Sequence, residues 1–415
     1  MVRHAARVGF GFTILSLAGI TAFAQAAQGQ LSVGPNAGDE EAVVKQVVDT
    51  IMQPYLSQNY IPGAIVGVSL HRRRYFFSYG QATDAGAPFT PDTLVEIGSC
   101  TKVFTTTLFA LAINRNQIDP NASVQRYMPA GYTLRPRARP MTPLELADFT
   151  SGLPDDPPNL SRRLEMRSIE HYTTHDFLRW VSHWTPATRL PAPYRYSNAG
   201  VGLLGYLVMT ATGTPWDNQL NDEILQPLSM HNTTLRPSRE QMNRMAQGHR
   251  RNGNDAPRWP VFAWYAAGGL RSTARDMLSF GEANLGHKEV NGKPIPGELI
   301  TAMRLAQKPI YIMPNGFDEQ AMAWVNNMGH GDPNLHPVIV KNGGTAGFGT
   351  VIVINPSKDL ALFIAVNQAR PNPAGRGIEI VRHIFTTSNR PLHTHNDAAE
   401  PILRWLRFVY ATKRS

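Results

Sequence analysis

Ser99-Cys100-Thr101-Lys102 leads directly into an apolar run that extends from Val103 to Ile113. The run predicts a helix, and residues three apart on a helix share a face, so we expect the Ser99 hydroxyl beside the Lys102 amine. A serine hydroxyl is a poor nucleophile until a neighbouring group accepts its proton, and a desolvated lysine can do this. Backbone N–H groups at a helix start also favour negative charge. The stretch therefore predicts a nucleophilic serine, with a chance Ser-x-x-Lys as the alternative.

The composition is that of an ordinary globular protein. The chain has 415 residues, of which 42% are hydrophobic and 17% charged, so a sizeable core fits one large or two ordinary domains. Cys100 is the only cysteine, so no intrachain disulfide can form. Its place in the first helical turn predicts a small buried residue rather than a reactive thiol.

The first residues have the pattern of a secretory signal. Arg3 and Arg7 are followed by an apolar stretch from Val8 to Phe23, and Ala22-Phe23-Ala24 fits the small-x-small cleavage rule. We therefore expect residues 1–24 to be a signal peptide and the mature protein to be periplasmic. The apolar stretch is too short for a convincing membrane span, and no later segment has about 18 uninterrupted apolar residues. No stable membrane insertion is expected.

The net charge of +9 comes from dispersed basic residues. Clusters such as Arg72 to Arg74 and Arg135 to Arg139 have few interleaved aromatic residues, which argues against a nucleic-acid partner. The charge instead favours a general attraction for anionic substrates or cell-envelope polymers. We expect a monomer whose partner is a small-molecule substrate.

The order of apolar runs predicts an α+β fold. Ala64 to Leu70 and Tyr75 to Tyr79 resemble a β-hairpin, and residues 114–237 consist mostly of helical pieces and proline-rich loops. Strand signals return late, at Pro337 to Lys341, Thr350 to Ile354 and Leu360 to Val366. We therefore expect an antiparallel sheet, built from N- and C-terminal segments and flanked by helices, with an inserted mostly helical domain. The expected domains are the sheet domain (40–105 and 238–390), the helical domain (106–237) and a C-terminal extension (391–415).

Two further segments carry groups suited to catalysis. Tyr196-Ser197-Asn198 begins an apolar helix, and a tyrosine near two ammonium groups can have its pKa lowered enough to act as a base. Lys341-Asn342-Gly343-Gly344-Thr345 ends an apolar run, and a lysine at the tip of an edge strand can bind a substrate carboxylate. The glycines would let a substrate approach closely. A capped helix and a plain glycine turn are the structural alternatives.

A third segment, Gly268 to Ala274, is interpreted as structural. It predicts a turn followed by a capped helix that begins near Ser272.

Together and in this order, the three motifs resemble those of the class C serine β-lactamases and of their relatives among the penicillin-binding proteins, the D,D-peptidases. That superfamily carries Ser-x-x-Lys, Tyr-x-Asn and Lys-Thr-Gly, and the resemblance covers roughly Val43 to Phe385. Asn342 departs from the pattern, since it replaces the family's threonine. Supporting matches are Ile61-Pro62-Gly63, Glu96-Ile97-Gly98, Thr150-Ser151-Gly152-Leu153-Pro154 and Gly347-Phe348-Gly349.

The resemblance implies a reaction and the residues that perform it. Ser99 would attack a β-lactam carbonyl and form an acyl-enzyme, with proton transfer shared by Lys102 and Tyr196 and coupled to Lys341. The N–H groups of Ser99 and Gly344 would form an oxyanion hole. Substrate would bind at Asn198, Asn342, Gly343, Gly344 and Thr345. Neither a metal nor another cofactor is expected in this reaction.

Alternative functions remain open at this point. A D,D-carboxypeptidase or endopeptidase, an esterase, and a β-lactam or muropeptide binder without turnover would share these motifs. An α/β-hydrolase is disfavoured because no Gly-x-Ser-x-Gly elbow is present.

The remaining signals are interpreted as structural. His171 and His175, and also His393 and His395 near Asp397, lack the glutamate of a zinc-protease helix, so surface or loop positions are expected. The segment from Pro401 to Tyr410 predicts an amphipathic helix that packs on the protein's own sheet, with a membrane surface or a partner as the alternative.

Overall fold

The computed structural model describes residues 37–386 apart from 136–138, 159, 161–168, 186, 188, 327–336 and 370–371. The predicted signal peptide, the His393–His395 pair and the C-terminal amphipathic segment lie outside the described residues. The backbone forms two compact units, one ending at Val44 and the other beginning at Lys45. The described part of the first unit is the start of helix α1, and the elements after α1 belong to the second unit.

Helices and strands alternate irregularly along the chain. The helices are α1 (Ala37–Gln58), α2 (Thr101–Asn114), α3 (Pro143–Ala147), α4 (Thr174–His183), α5 (Asn198–Thr212), α6 (Trp216–Leu220), α7 (Arg239–Asn243), α8 (Ala274–Leu285), α9 (Gly297–Gln307) and α10 (Ala374–Thr386). The strands are β1 (Gly63–Leu70), β2 (Arg73–Gly80), β3 (Val95–Glu96), β4 (Arg271–Ser272), β5 (Glu289–Val290), β6 (Lys293–Pro294), β7 (Tyr311–Ile312), β8 (Glu319–Gln320), β9 (Val325–Asn326), β10 (Ile339–Gly344), β11 (Gly349–Asn355) and β12 (Leu360–Val366).

One antiparallel sheet pairs an early segment of the chain with late ones. Its strand order is β2-β1-β12-β11-β10-β9-β8-β7. The N-terminal strand β1 pairs with the C-terminal strand β12, from Ala64 opposite Val366 to Leu70 opposite Leu360. The predicted sheet is therefore confirmed, as is the β1–β2 hairpin. Strands β7, β8 and β9 were not predicted, because two residues each are too few to show an alternating pattern.

Helices cover both faces of this sheet. A Cβ atom added to Gly281 of α8 would lie 2.8 Å from Ala361 Cβ of β12, so helix and strand pack closely there. Gly377 of α10 faces the adjacent residue of that strand, Leu362, and successive strand residues point to opposite faces. Since both faces are covered, every residue of β11 and β12 is buried. This explains why these strands are continuous apolar runs in the sequence.

Helix α2 lies inside the molecule, where it packs against α5 and α9. Every residue from Thr101 to Ala112 is buried, which confirms the prediction of a buried helix. Its threonines satisfy their hydroxyl groups on backbone carbonyls, since Thr105 donates to Ala266 O at 2.6 Å and Thr106 donates to Met322 O at 3.0 Å. The helix that begins at the predicted serine motif is therefore fixed on several sides.

The regular secondary structure described in the middle of the chain is helical. Among the described residues from 115 to 237 no strand occurs, and the proline-rich loop from Leu153 to Pro158 has no regular structure, as predicted. The expected capped helix is α8, which begins two residues after Ser272 and is capped by Thr273, whose side chain accepts from Asp276 N. The division into a sheet domain and a helical domain stays a prediction. No helix among the described residues is both long and apolar enough to cross a bilayer.

Phe363→Ala is expected to destabilise the protein strongly. Phe363 is fully buried in β12, so the truncation leaves a cavity and lowers the free energy of unfolding by about 3–5 kcal/mol. Phe317→Ala is the matched control, because that side chain is 58% exposed. Denaturant unfolding of the two variants checks this, and equal midpoints would contradict it.

Candidate active site

Ser99 lies in a 3₁₀ turn, Gly98–Cys100, that precedes α2. Gly98 has a positive φ of 50°, which favours glycine, and a Cβ atom on it would lie 2.6 Å from Gly344 O of β10. No side chain fits at this position without moving the backbone. The turn is therefore pressed directly against the end of β10.

Three further contacts fix the same turn on the sheet. Thr350 of β11 donates its hydroxyl to Ile97 O at 2.9 Å, and Cys100 Sγ donates to Lys341 O at 3.3 Å. A Cβ atom on Gly343 would lie 2.1 Å from Ile97 O. The protein's own backbone thus requires glycine at 343, whereas the sequence alone suggested close approach of a substrate.

Cys100 is a packing residue. Its thiol is buried, and burial raises its pKa, so the thiolate is disfavoured. The prediction of a small buried residue rather than a reactive thiol is confirmed.

The expectation that Lys341 ends an edge strand is wrong. Strand β10 lies inside the sheet, between β11 and β9. However, β9 pairs only with Ile339 and Val340, so β10 continues past it through Lys341 to Gly344. The third motif therefore begins where the pairing with β9 ends, which leaves this side of β10 to the serine turn.

Lys102 is completely buried beside Ser99. Its Nζ atom lies 3.1 Å from Ser99 Oγ, 2.5 Å from Asn198 Oδ1 and 2.7 Å from Ala267 O. Burial lowers the pKa of Lys102 well below its usual value, and the charge of Lys341 lowers it further. The neutral amine is thereby favoured at a position within reach of the serine hydroxyl.

The ring of Tyr196 lies against both lysines. Its centroid is 4.8 Å from Lys102 Nζ and 5.0 Å from Lys341 Nζ. Phe149 packs against the same ring, with its centroid 4.8 Å from that of Tyr196. Aromatic packing thus holds the Tyr196 ring close to both amines.

The start of α5 positions the Tyr-x-Asn motif. Ser197 is the N-cap, since its Oγ accepts from Gly200 N and donates to Pro154 O, both at 2.7 Å. Tyr196 therefore lies one residue before the cap, and Asn198 is the first residue of the helix. The structural interpretation as a cap and the predicted placement of the motif at the site are both compatible with this geometry.

Two carboxylates that sequence reasoning missed face Asn198. Its Nδ2 donates to Asp155 Oδ1 at 2.8 Å and approaches Asp156 Oδ1 at 3.3 Å. These bonds orient the amide so that its Oδ1 faces Lys102. Both aspartates raise the pKa of Lys102, in opposition to burial. The sequence showed them only as a charged pair between prolines, with no periodicity to place them.

Lys341 is also buried, with 5% of its surface exposed. Burial lowers its pKa to about 8, although the charge of Asp155 opposes this shift. An ammonium group therefore persists at neutral pH in an enclosed site. Such a group attracts an anionic substrate more strongly than one in open water.

The residues after Lys341 differ in their contacts. Asn342 is half-buried, and its side chain hydrogen-bonds no described residue. Gly344 is exposed beside the Ser99 turn. The hydroxyl of Thr345 instead accepts from Gly347 N at 3.3 Å and bonds the buried Glu96 carboxyl. Thr345 is thus tied to the protein, while Asn342 keeps polar atoms available for a ligand.

The predicted surface histidines lie apart from these groups. His171 and His175 are both exposed, and His175 Nδ1 lies 2.9 Å from the hydroxyl of Tyr132. Sequence reasoning also missed the carbonyl of Ala267, which directly precedes the segment interpreted as structural. No sequence signal identifies a backbone carbonyl as a partner of Lys102.

The structure therefore brings the predicted nucleophile, both lysines and the tyrosine to one place. A hydroxyl, a buried amine that accepts protons, a phenol and a persistent cation suit acyl transfer. No metal ion is needed for any of these contacts.

Comparisons with known proteins agree with this chemistry. A β-lactamase from Pseudomonas fluorescens is 27% identical over 354 residues, which are 79% of this chain and 95% of that protein. A β-lactamase from Escherichia coli (strain K12) is 28% identical over 359 residues, which are 80% of this chain and 90% of that protein.

Solved structures give the same result. A class C β-lactamase from Rhodobacter sphaeroides superimposes with a TM-score of 0.70 and 26% identity, over 82% of this chain and 100% of that one. A β-lactamase/D-alanine carboxypeptidase from Pseudomonas syringae matches with a TM-score of 0.70 and 22% identity, over 84% of this chain and 99% of that one, which supports the fold.

The sequence family described as Beta-lactamase matches residues 45–384, which include every element from β1 to β12. With the assembled hydroxyl, phenol and amines, this match shows that the chain belongs to the β-lactamase family and has its α+β fold.

Proposed function

We propose that this protein is a serine β-lactamase that hydrolyses the β-lactam amide through an acyl-enzyme on Ser99. The observation that carries the proposal is the fully buried Lys102 amine at 3.1 Å from Ser99 Oγ. Membership of the β-lactamase family supports the substrate class.

The contacts of Lys102 suit proton acceptance. A neutral amine has two N–H donors, and Asn198 Oδ1 and Ala267 O can each accept one. The lone pair is then left for the Ser99 hydroxyl. The two carbonyl oxygens therefore point the lone pair of the Lys102 amine at the Ser99 hydroxyl. A lysine that rotated freely would have no such orientation.

The chemical step follows from this arrangement. Ser99 Oγ attacks the lactam carbonyl as its proton moves to Lys102, the carbonyl C–N bond breaks, and the ring nitrogen receives a proton from the same set of groups. Tyr196 lies against both amines, so the protonation of Lys102, Tyr196 and Lys341 is coupled. Water then attacks the ester and releases Ser99. The N–H groups of Ser99 and Gly344 stabilise the oxyanion.

Substrate recognition is assigned to the third motif. The Lys341 ammonium binds the carboxylate of the substrate, and the free Asn342 amide donates a hydrogen bond to it. The donor group of Asn198 is occupied by Asp155 and Asp156. Asn198 therefore acts mainly on Lys102, rather than on the substrate amide as the family resemblance implied.

A D,D-peptidase or esterase is the second candidate. Asn342 in the position of the family's threonine favours this candidate. The asparagine amide differs in length and shape from a threonine hydroxyl, so the preferred substrate can differ as well. Purified protein incubated with a chromogenic cephalosporin separates the candidates when hydrolysis and adduct mass are followed together. Sustained turnover supports the β-lactamase, whereas a long-lived adduct without turnover contradicts it.

Export to the periplasm as a monomer belongs to the same proposal. The basic start, apolar stretch and Ala22-Phe23-Ala24 support cleavage before Gln25. Intact mass of the exported protein tests the cleavage site, and light scattering tests the oligomeric state.

Ser99→Ala is expected to abolish turnover and covalent adduct together. Loss of a serine nucleophile costs on the order of 10⁴–10⁶-fold in kcat. Ser57→Ala is the matched control, because Ser57 is exposed on α1 and bonds only a local carbonyl, Pro54 O. Hydrolysis and intact-mass measurements check this, and full activity in Ser99→Ala would refute the mechanism.

The value of kcat/KM is expected to fall as pH rises through about 8 for substrates that carry a carboxylate. Lys341 has a pKa of about 8, so it is cationic below that pH and loses its charge above it. The pH profile of kcat/KM reports groups of the free enzyme. Lys341→Arg keeps the positive charge at this pH. The fall in kcat/KM that is caused by deprotonation of residue 341 should therefore disappear in this variant. An unchanged profile in that variant would contradict the assignment.

Asn342→Ala is expected to raise KM by about tenfold or more for carboxylated β-lactams, because a hydrogen bond to a charged group is lost. The value of kcat should change less, since the bond is present in both ground and transition states. Asn342→Thr restores a donor and is the matched variant. Equal KM values for a substrate and its carboxylate methyl ester would argue against this contact.

A further inference from the structure

A cluster of side chains outside the active site has no role in the proposed reaction. Asp84 follows β2, and His249 pairs with Asp255 across a short hairpin. One ligand atom from each of these three residues lies within 4.8 Å of the others. The cluster thus gathers an imidazole and two carboxylates from two separate segments of the chain.

The imidazole of His249 is buried without a hydrogen bond to any described residue. Its side chain is 9% exposed, and Nε2 lies 3.6 Å from Asp84 Oδ1 while Nδ1 lies 3.6 Å from Asp255 Oδ1. An N–H···O hydrogen bond needs about 2.7–3.2 Å, so both distances are too long. A buried polar ring aimed at two carboxylates across such gaps points to a bound group between them.

The gaps have the size that a metal ion would produce. Zinc bonds nitrogen and oxygen at about 2.0–2.2 Å, so neighbouring ligand atoms around a tetrahedral ion lie about 3.3–3.6 Å apart. An ion binds one ring nitrogen only, so the carboxylate that faces the other nitrogen must rotate towards it. Both carboxylates can do so, because Asp84 and Asp255 are 59% and 67% exposed.

The histidine itself is held in place by the backbone. The backbone N–H of His249 donates to Asn367 O at 2.9 Å and approaches Gly347 O at 3.3 Å. The cluster therefore has one fixed ligand and two adaptable ones.

We propose that Asp84, His249 and Asp255 form a binding site for a divalent transition-metal ion. Imidazole with carboxylate ligands suits Zn²⁺, and water completes the coordination. The ion takes no part in the chemistry at Ser99, so the proposal does not depend on the proposed function.

The ion would brace the loop after β10. A Cβ atom on Gly248 would lie 2.9 Å from Gly347 Cα, so the hairpin that carries His249 packs directly on this loop. Metal binding is therefore expected to stabilise the folded state, since the ion binds the folded protein in preference to the unfolded chain.

Calorimetric titration of the metal-free full-length protein with Zn²⁺ tests the site. One equivalent should bind, and the thermal unfolding midpoint should rise. Asp84→Asn and Asp255→Asn should each weaken Zn²⁺ binding by about tenfold or more. Removal of a residue that only hydrogen-bonds a metal ligand already costs about tenfold in affinity, and these variants remove a ligand itself. Both residues are exposed, so these variants should fold.

Asp359→Asn is the matched control. Asp359 Oδ1 lies 2.5 Å from His287 Nε2, so this second histidine–aspartate pair is closed by a direct hydrogen bond. Its backbone has a positive φ of 47°, which asparagine tolerates. Zn²⁺ binding should be unchanged in this variant. Absence of binding to the wild type, or equal binding to the wild type and both site variants, would overturn the proposal.

Discussion

The close approach of the 3₁₀ turn Gly98–Cys100 to the end of β10 is the constraint on which the site depends. Gly98 and Gly343 have no room for a side chain, because each faces backbone atoms of the opposite segment. Segments about 240 residues apart in the sequence therefore meet at van der Waals distance. This contact brings Ser99 to the site where the Lys341 side chain lies.

The second determinant is the burial of two amines at that site. Desolvation lowers the pKa of both lysines, and the charge of Lys341 lowers the pKa of Lys102 further. Lys102, which is surrounded by carbonyl oxygens, is kept near the serine as an acceptor. Lys341 retains its charge at neutral pH. The same residue type thus serves two purposes, because the two surroundings differ.

The acidic pair Asp155–Asp156 moderates this electrostatic arrangement. The two carboxylates hold the amide of Asn198 and oppose the loss of charge on Lys102. Their effect on the amine is transmitted partly by an oriented hydrogen bond and partly by charge. The loop that carries them is irregular because its prolines lack the N–H donors that a helix interior or a central strand needs.

Much of this protein was determined by its sequence. The β1–β2 hairpin, the buried helix α2, the capped helix α8 and the late strands β11 and β12 follow from apolar runs, turn residues and capping, which are local properties. The motif residues Ser99, Lys102, Tyr196 and Lys341 could also be identified, because the family pattern is written in short segments. By contrast, only the tertiary structure placed β10 inside the sheet, gave Gly343 its steric role, and brought Asp155, Asp156 and the Ala267 carbonyl to the amine. The same holds for the Asp84–His249–Asp255 cluster. These features arise from contacts between distant segments, and no periodicity within a segment records which distant atoms it will meet.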